Sequence, residues 1–264
     1  MRADGDGVKS MKVVLIGAGN LATNVGKALK YAGHDIVQVY SRTMSSAEAL
    51  ASVLGAVAVN DAESLRNDGD VYLLAVKDSV LASLIPRVCA GREGGVFAHT
   101  AGSMSIDLFR GYAEHYGVFY PMQTFSKERA VDFRDVTCFI ESSDMSSCKV
   151  LEELARSITP RVMTLSSEDR KYLHLAAVFA CNFANHCFAL SERLLASRGI
   201  GFDVMLPLVD EMVSKVHALS PRAAQTGPAV RNDSNVMEEH LRLLDDDEKL
   251  QEIYRLLSDS IREQ

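Results

Sequence analysis

Residues 13–28, VVLIGAGNLATNVGKA, run four apolar side chains into a glycine pair, with a helical pattern directly behind. Within it Gly17-Ala18-Gly19-Asn20-Leu21-Ala22 is a GxGxxA turn. After a strand and before a helix, that spacing suits a pyrophosphate. Gly17 allows the tight turn, Gly19 lets an anion approach the backbone, and Ala22 is small enough for close helix–strand packing. Asn20 and Leu21 open the helix, whose free N–H groups and partial positive charge favour phosphate. A P-loop does not fit: Gly26-Lys27 stands at the wrong spacing and Ala28 replaces the needed hydroxyl.

The end of the second strand distinguishes between ligands. An NAD site places an acid about 20 residues after the glycines, on the ribose hydroxyl. Here Ser41, Arg42 and Thr43 follow Tyr40 and no carboxylate does. A guanidinium flanked by two hydroxyls suits a 2′-phosphate, so NADP (as NADPH) is the expected cofactor. The missing acid also argues against an adenosylmethionine site.

Ligands in such sheets lie outside the carboxyl ends of the strands. Val76 and Lys77 follow the fourth strand, Thr100 and Ala101 the fifth (HTAGS), and Gln123 the sixth (YPMQTF). All five are candidate contacts to the nicotinamide half or to substrate; Asp78 and Ser105 also suit plain helix caps. On a long apolar helix, His174, Val178, Cys181, Asn182 and Asn185 share one face by α-helical spacing. Buried polar groups need partners, so this face is either a substrate site, with His174 as proton donor or orienter, or a satisfied core or dimer-interface network. The candidate catalytic residues are therefore His174, Asn182 and Gln123. His99, at a strand end, reads as structural. Arg231 can hold a substrate carboxylate or pair with Asp233, and the acidic run 245–248 reads as a solvated helix junction.

The elements that position these groups alternate. Strands are expected at 12–16, 36–40, 56–59, 71–76, 96–99, 117–120, 137–141 and 162–165, and helices at 21–32, 45–54, 79–88, 106–112 and 148–157. That pattern implies βαβ units and a mainly parallel sheet, with an antiparallel addition at the far edge, where the later helices shorten. Gly33 is placed to end the first helix. Past residue 165 only helices are expected, at 168–198, 203–218, 234–245 and 248–262, the first capped by Ser166 or Ser167. The fold class is thus a Rossmann-type α/β domain, 11–166, followed by an all-helical domain, 167–264.

Of the 264 residues 47% are apolar and 24% charged, with a net charge of −7. No basic stripe suggests nucleic acid. Five cysteines form no CxxC pair, which points to a reduced, cytoplasmic chain with no metal site. The start, MRADGDGVKS, lacks an apolar signal core and reads as a frayed leader, with Met11 an alternative start. Residues 172–190 approach the length of a membrane span, but His174, Asn182, Asn185 and His186 lie inside; a helix buried in protein or between subunits is expected instead.

In order along the chain, GAGNLA, YSRT, HTAGS, YPMQTF, HLAAVFACNFANH and TGPAVRND resemble a family of Rossmann-like NADP oxidoreductases. That family is itself similar to pyrroline-5-carboxylate reductase and to the deazaflavin-dependent NADP oxidoreductases. The resemblance implies an NADP-binding domain, a helical second domain of unknown function, a homodimer, and hydride transfer to a small C=O or C=N substrate held between the domains. The more distant β-hydroxyacid dehydrogenases carry a Lys and an Asn four residues apart on the long helix. If Asn182 matches that Asn, Val178 stands in place of the Lys. A non-catalytic NADP-binding sensor is the alternative reading.

Overall fold

The computed structural model describes residues 9–263; of the leader expected over residues 1–10, residues 1–8 lie outside the described residues. Eight strands form one sheet in the order β3-β2-β1-β4-β5-β6-β7-β8. They are β1 (Lys12–Ile16), β2 (Asp35–Tyr40), β3 (Val57–Val59), β4 (Val71–Leu74), β5 (Val96–His99), β6 (Tyr116–Pro121), β7 (Cys138–Ser142) and β8 (Val162–Thr164). The first six in this order pair in parallel, β6 and β7 pair antiparallel, and β7 and β8 parallel again. The antiparallel step thus lies on the expected side of the sheet.

The sheet is buried on both faces because its side chains alternate. On β1, Val13 and Leu15 join one apolar cluster, with Val25 and Leu29 of α1 (Asn20–Tyr31), Leu50 and Leu54 of α2 (Met44–Leu54) and Leu151 and Leu154 of α4 (Met145–Arg156). Val14 and Ile16 join the opposite cluster, with Leu81 and Ile85 of α3 (Asp78–Cys89) and the aromatic pair Tyr72 and Phe97. Strands covered on both sides read as continuous apolar runs, as β1, β4 and β5 do; the edge strands β3 and β8 are partly exposed. α1 ends as expected: Gly33, at φ +97°, follows the last turn and donates to the Lys30 carbonyl.

Two helical expectations change. The helix expected at 106–112 is a single 3-10 turn, Ile106–Phe109, capped by Ser105 and followed by Gly111 at φ +83°. The helix expected at 168–198 is α5 (Ser167–Ala177), a π segment (Val178–Phe183) and α6 (Ala184–Ala196). A π turn accommodates one extra residue, which rotates the turns after it by about 100° against α-helical phase. Cys181 and Asn182 therefore do not continue the face of His174 by the spacing assumed.

The contacts divide the chain into two compact units, one ending at Ala184 and one beginning at Asn185. The second unit contains most of α6, a 3-10 turn (Phe202–Met205), α7 (Leu206–Ala218), α8 (Pro221–Ala224), α9 (Ser234–Leu243) and α10 (Glu248–Arg262). Asp247 caps α10 and pairs with Arg193 at 2.6 Å; His240 and Tyr254 share a hydrogen bond of 2.9 Å. Asp233 caps α9 through the Val236 N–H and makes no ion pair with Arg231 among the described residues. Large apolar side chains stay open here, among them Leu206, Leu208, Met212, Val216 and Leu256.

Candidate functional site

The glycine turn is a cradle in atomic detail. Gly17 sits at φ +122°, donates to the Tyr40 carbonyl at 2.8 Å, and would bring a Cβ to 2.2 Å from the Ala75 carbonyl oxygen. Packing and backbone both demand glycine there. Gly19 differs: a Cβ on it would meet nothing within 4 Å. Its lack of a side chain serves no contact within the protein and leaves open space over the start of α1, which no side chain caps. Ala22 is fully buried, as close helix–strand packing requires.

A cavity of about 730 Å³ opens from this turn, lined by Gly17 and Gly19, by Ser41 and Arg42 after β2, and by Val76 and Lys77 after β4. That is an ordinary size for a cofactor site. Ser46 of α2 and Val80, Ser83, Leu84 and Arg87 of α3 complete its walls. No carboxylate lines it, and among the described residues neither Arg42 nor Lys77 makes an ion pair. Open backbone beside uncompensated cations fits a dinucleotide carrying an extra phosphate.

The remaining cofactor candidates lie outside this lining. Asn20 donates its side-chain amide to the Phe125 carbonyl at 3.0 Å, and Leu21 packs against the core. Thr43 stands at the N-cap of α2 without a side-chain bond. Thr100 is buried and donates to the Leu74 carbonyl at 3.3 Å. Ala101 donates its N–H to His99 and accepts from Arg170.

A second cluster assembles where the loop after β5 meets α5. Arg170, 1% exposed, donates to Glu141 Oε2 at 2.6 Å, to the carbonyls of Ala101 (3.3 Å) and Met104 (2.5 Å), and to Ser167 Oγ at 3.0 Å. Ser167 in turn donates to Glu141 through its N–H (2.9 Å) and its hydroxyl (2.7 Å); Ser166 supplies the helix cap. The clamp fixes the HTAGS loop to the first turn of α5. One turn on, His174 lies against Gly102, where a Cβ would come within 2.6 Å of the ring. His174 Nδ1 shares a hydrogen bond of 3.1 Å with the hydroxyl of Tyr120, on β6. Burial raises the Tyr120 pKa above its ordinary value, with Arg170 opposing and Asp78 assisting. Ser103 donates a short hydrogen bond to Asp78, which is thus a partner of the loop and not the cap of α3.

His99 behaves as a structural residue. Its Nδ1 accepts from the Ala101 N–H at 3.2 Å and its Nε2 faces the Ser105 carbonyl at 3.3 Å, which together fix the neutral tautomer. Burial pushes its pKa down to about 4. Of the other catalytic candidates, Gln123 is exposed and accepts from the Thr124 N–H at 2.8 Å. Asn182 is exposed within the π segment. Sequence reasoning missed Arg170, Glu141 and the specific role of Tyr120. The signal for Arg170 was its place four residues before His174, one helical turn away on the same face.

The fold and the cradle together define the class: a Rossmann-like dinucleotide-binding protein. Residues 4–121 match the model of a Rossmann-like domain, and residues 136–261 that of a domain of unknown function, DUF2520. A crystal structure of a Bacteroides fragilis protein, whose name proposes an NADP oxidoreductase, is 49% identical, covering 97% of this chain and 100% of that one with a TM-score of 0.94. The chain belongs to this family of Rossmann-like NADP oxidoreductases with a DUF2520 domain. The fold extends to more distant proteins. An imine reductase from Myxococcus stipitatus, solved with NADP+, is 16% identical over 96% of this chain and 92% of its own (TM-score 0.64). A reductive aminase from Aspergillus terreus, solved with NADPH and ethyl-5-oxohexanoate, is 16% identical over 97% and 95% (TM-score 0.71). No curated protein matches the chain.

Proposed function

We propose that the protein is an NADP-dependent oxidoreductase that binds NADPH in the cavity at the glycine turn and reduces a small C=O or C=N compound. The observation that carries this reading is the open space at Gly19 facing a cavity with two cations, Arg42 and Lys77, that make no ion pair among the described residues. The membership in a family named for NADP oxidoreduction supports it, as does the fold shared with an imine reductase and a reductive aminase.

Bound NADPH supplies a hydride. The chain must hold it, orient the acceptor and provide a proton for the acceptor's oxygen or nitrogen. The paired Tyr120 and His174 suit that last task. A buried tyrosine with a raised pKa keeps its O–H at neutral pH, and the imidazole beside it at 3.1 Å can replace a donated proton. The Arg170–Glu141 clamp anchors the start of α5, the helix that carries His174. Gln123 and Asn182 are assigned to substrate contact on the sequence alone, as are Asn20, Leu21, Thr43, Thr100 and Ala101 to the cofactor. The division at residue 166 is kept as the functional boundary, and a cytoplasmic setting rests on the five cysteines, all free.

A second copy of this chain is proposed to cover the exposed apolar surface. The stretch Ser167–Ala196 is long and apolar enough to cross a membrane by composition, with none of that window buried. Its first turns are nevertheless part of the first unit and packed there through Arg170 and His174, which favours a protein partner over lipid.

Titration of the purified protein with NADPH and NADH, by calorimetry or nicotinamide fluorescence, tests the cofactor. Preference for NADPH, followed by substrate-dependent oxidation in a screen of ketones, aldehydes and imines, is the expected result. Tight binding without turnover of any of them would support the sensor reading. Binding of neither dinucleotide would refute both.

A further inference from the structure

Val80, Ser83, Leu84 and Arg87 recur along α3 at intervals of three and four, so they form one stripe, and all four line the cofactor cavity. The stripe starts beside Val76 and Lys77, near the glycine turn, and runs about 10 Å at 1.5 Å per residue, long enough for a ribose and its base. At its far end Arg87 Nη2 lies 3.1 Å from Asp61 Oδ1, on the loop after β3, and 3.9 Å from Glu63. Arg87 therefore bridges α3 to the loop beyond β3, whereas Arg42, on the loop after β2, makes no ion pair among the described residues.

The two arginines are thus chemically different. Arg42 carries an uncompensated charge and suits a phosphate. The charge of Arg87 is balanced by two carboxylates, which would repel a phosphate. Its Nη2 donates to Asp61, and its planar guanidinium leaves a flat face for stacking. Val80 and Leu84 add apolar surface on the same wall. We propose that Arg87 is an adenine-binding residue: it closes the cavity over the base and sets affinity for the adenosine half of the cofactor, while Arg42 alone sets the choice between NADPH and NADH. This rests on the NADP reading above.

Calorimetric dissociation constants for NADPH and NADH would be measured on the wild type and on Arg87→Ala, Arg87→Lys and Arg42→Ala, with circular dichroism to verify folding. Stacking by a guanidinium predicts that Arg87→Ala weakens both dinucleotides by the same factor, about 5- to 20-fold. Arg87→Lys, which keeps charge and loses the plane, should behave like the alanine variant. Arg42→Ala should weaken NADPH alone. An altered NADPH/NADH ratio in Arg87→Ala, rescue by lysine, or unchanged affinity would overturn the assignment while leaving the NADP reading intact. Failure of the wild type to bind either dinucleotide would instead remove the NADP reading and this assignment with it.

Discussion

Replacing Arg170 by Met should cost about 3–5 kcal/mol of folding stability, the range for breaking a buried ion pair from one side. The guanidinium is 1% exposed and serves Glu141, the Ala101 and Met104 carbonyls and Ser167 Oγ. Methionine is of similar length, so the loss is polar and not a cavity. Two carbonyls would be left short of a donor, each worth about 1 kcal/mol or more when buried. The Glu141 carboxylate, 18% exposed, would retain only the two donors of Ser167. These costs overlap, and the ion-pair range bounds them. Removing both charges in Arg170→Met with Glu141→Gln should recover about half the loss, because no unpaired charge remains. The chain has no Trp, so urea unfolding is followed by far-ultraviolet circular dichroism. Two compact units need not unfold together, so amide exchange at Ser167, whose N–H is held by Glu141, localises the effect. A loss under about 1 kcal/mol, or a double variant no more stable than the single, would refute a buried and mutually compensated pair.

Tyr120→Phe should lower kcat by about 10²–10⁴-fold if its hydroxyl delivers the proton, with the dissociation constant for NADPH unchanged; a loss under about threefold would remove it from that role. His99 makes acid conditions costly. Its folded pKa of about 4 lies below the ordinary 6.5, so the unfolded chain binds the extra proton first. Stability is full above pH 6.5 and falls by up to about 3 kcal/mol as pH drops to 4. His99→Asn should flatten that slope in urea titrations between these pH values; an unchanged slope would point to other groups. Sedimentation equilibrium should show a dimer, and Leu208→Asp with Val216→Asp, both at exposed apolar positions of α7, should shift it to monomer. A wild-type monomer at micromolar concentration would contradict the covered face.

The strands were legible because their environment leaves little choice. Val13–Ile16 and Val71–Leu74 are wholly buried, and a sheet sandwiched between helices selects apolar residues at every position. The helix expected at 106–112 is only one 3-10 turn because Gly111, at φ +83°, turns the chain directly behind it. Composition carries no mark of the π segment. One extra residue in a turn changes hydrogen-bond partners and not residue types, so Val178–Phe183 looks like ordinary apolar helix. In the second unit the helices expected at 234–245 and 248–262 are found, but their caps, Asp233 and Asp247, read in the sequence as a partner for Arg231 and as part of a solvated acidic run, and the sequence does not indicate what covers the helices' apolar sides.

The candidate site divides along the same physical line. Gly17, Gly19, Ser41 and Arg42, which the structure gathers around one cavity, could be singled out because the proposed phosphate contacts use backbone and a short contiguous segment. Arg170 could not, because a charged residue in the first turns of a helix ordinarily faces water; only the fold brings Glu141 from β7 to within 2.6 Å and buries the guanidinium. Tyr120 and His174 are 54 residues apart and meet only because α5 returns across the end of β6. Local rules thus pick out the residues that line the cavity proposed for the cofactor. Placement of the proton source depends on contacts distant in sequence, so substitutions at Arg170 or Glu141 should disturb chemistry before they disturb cofactor binding.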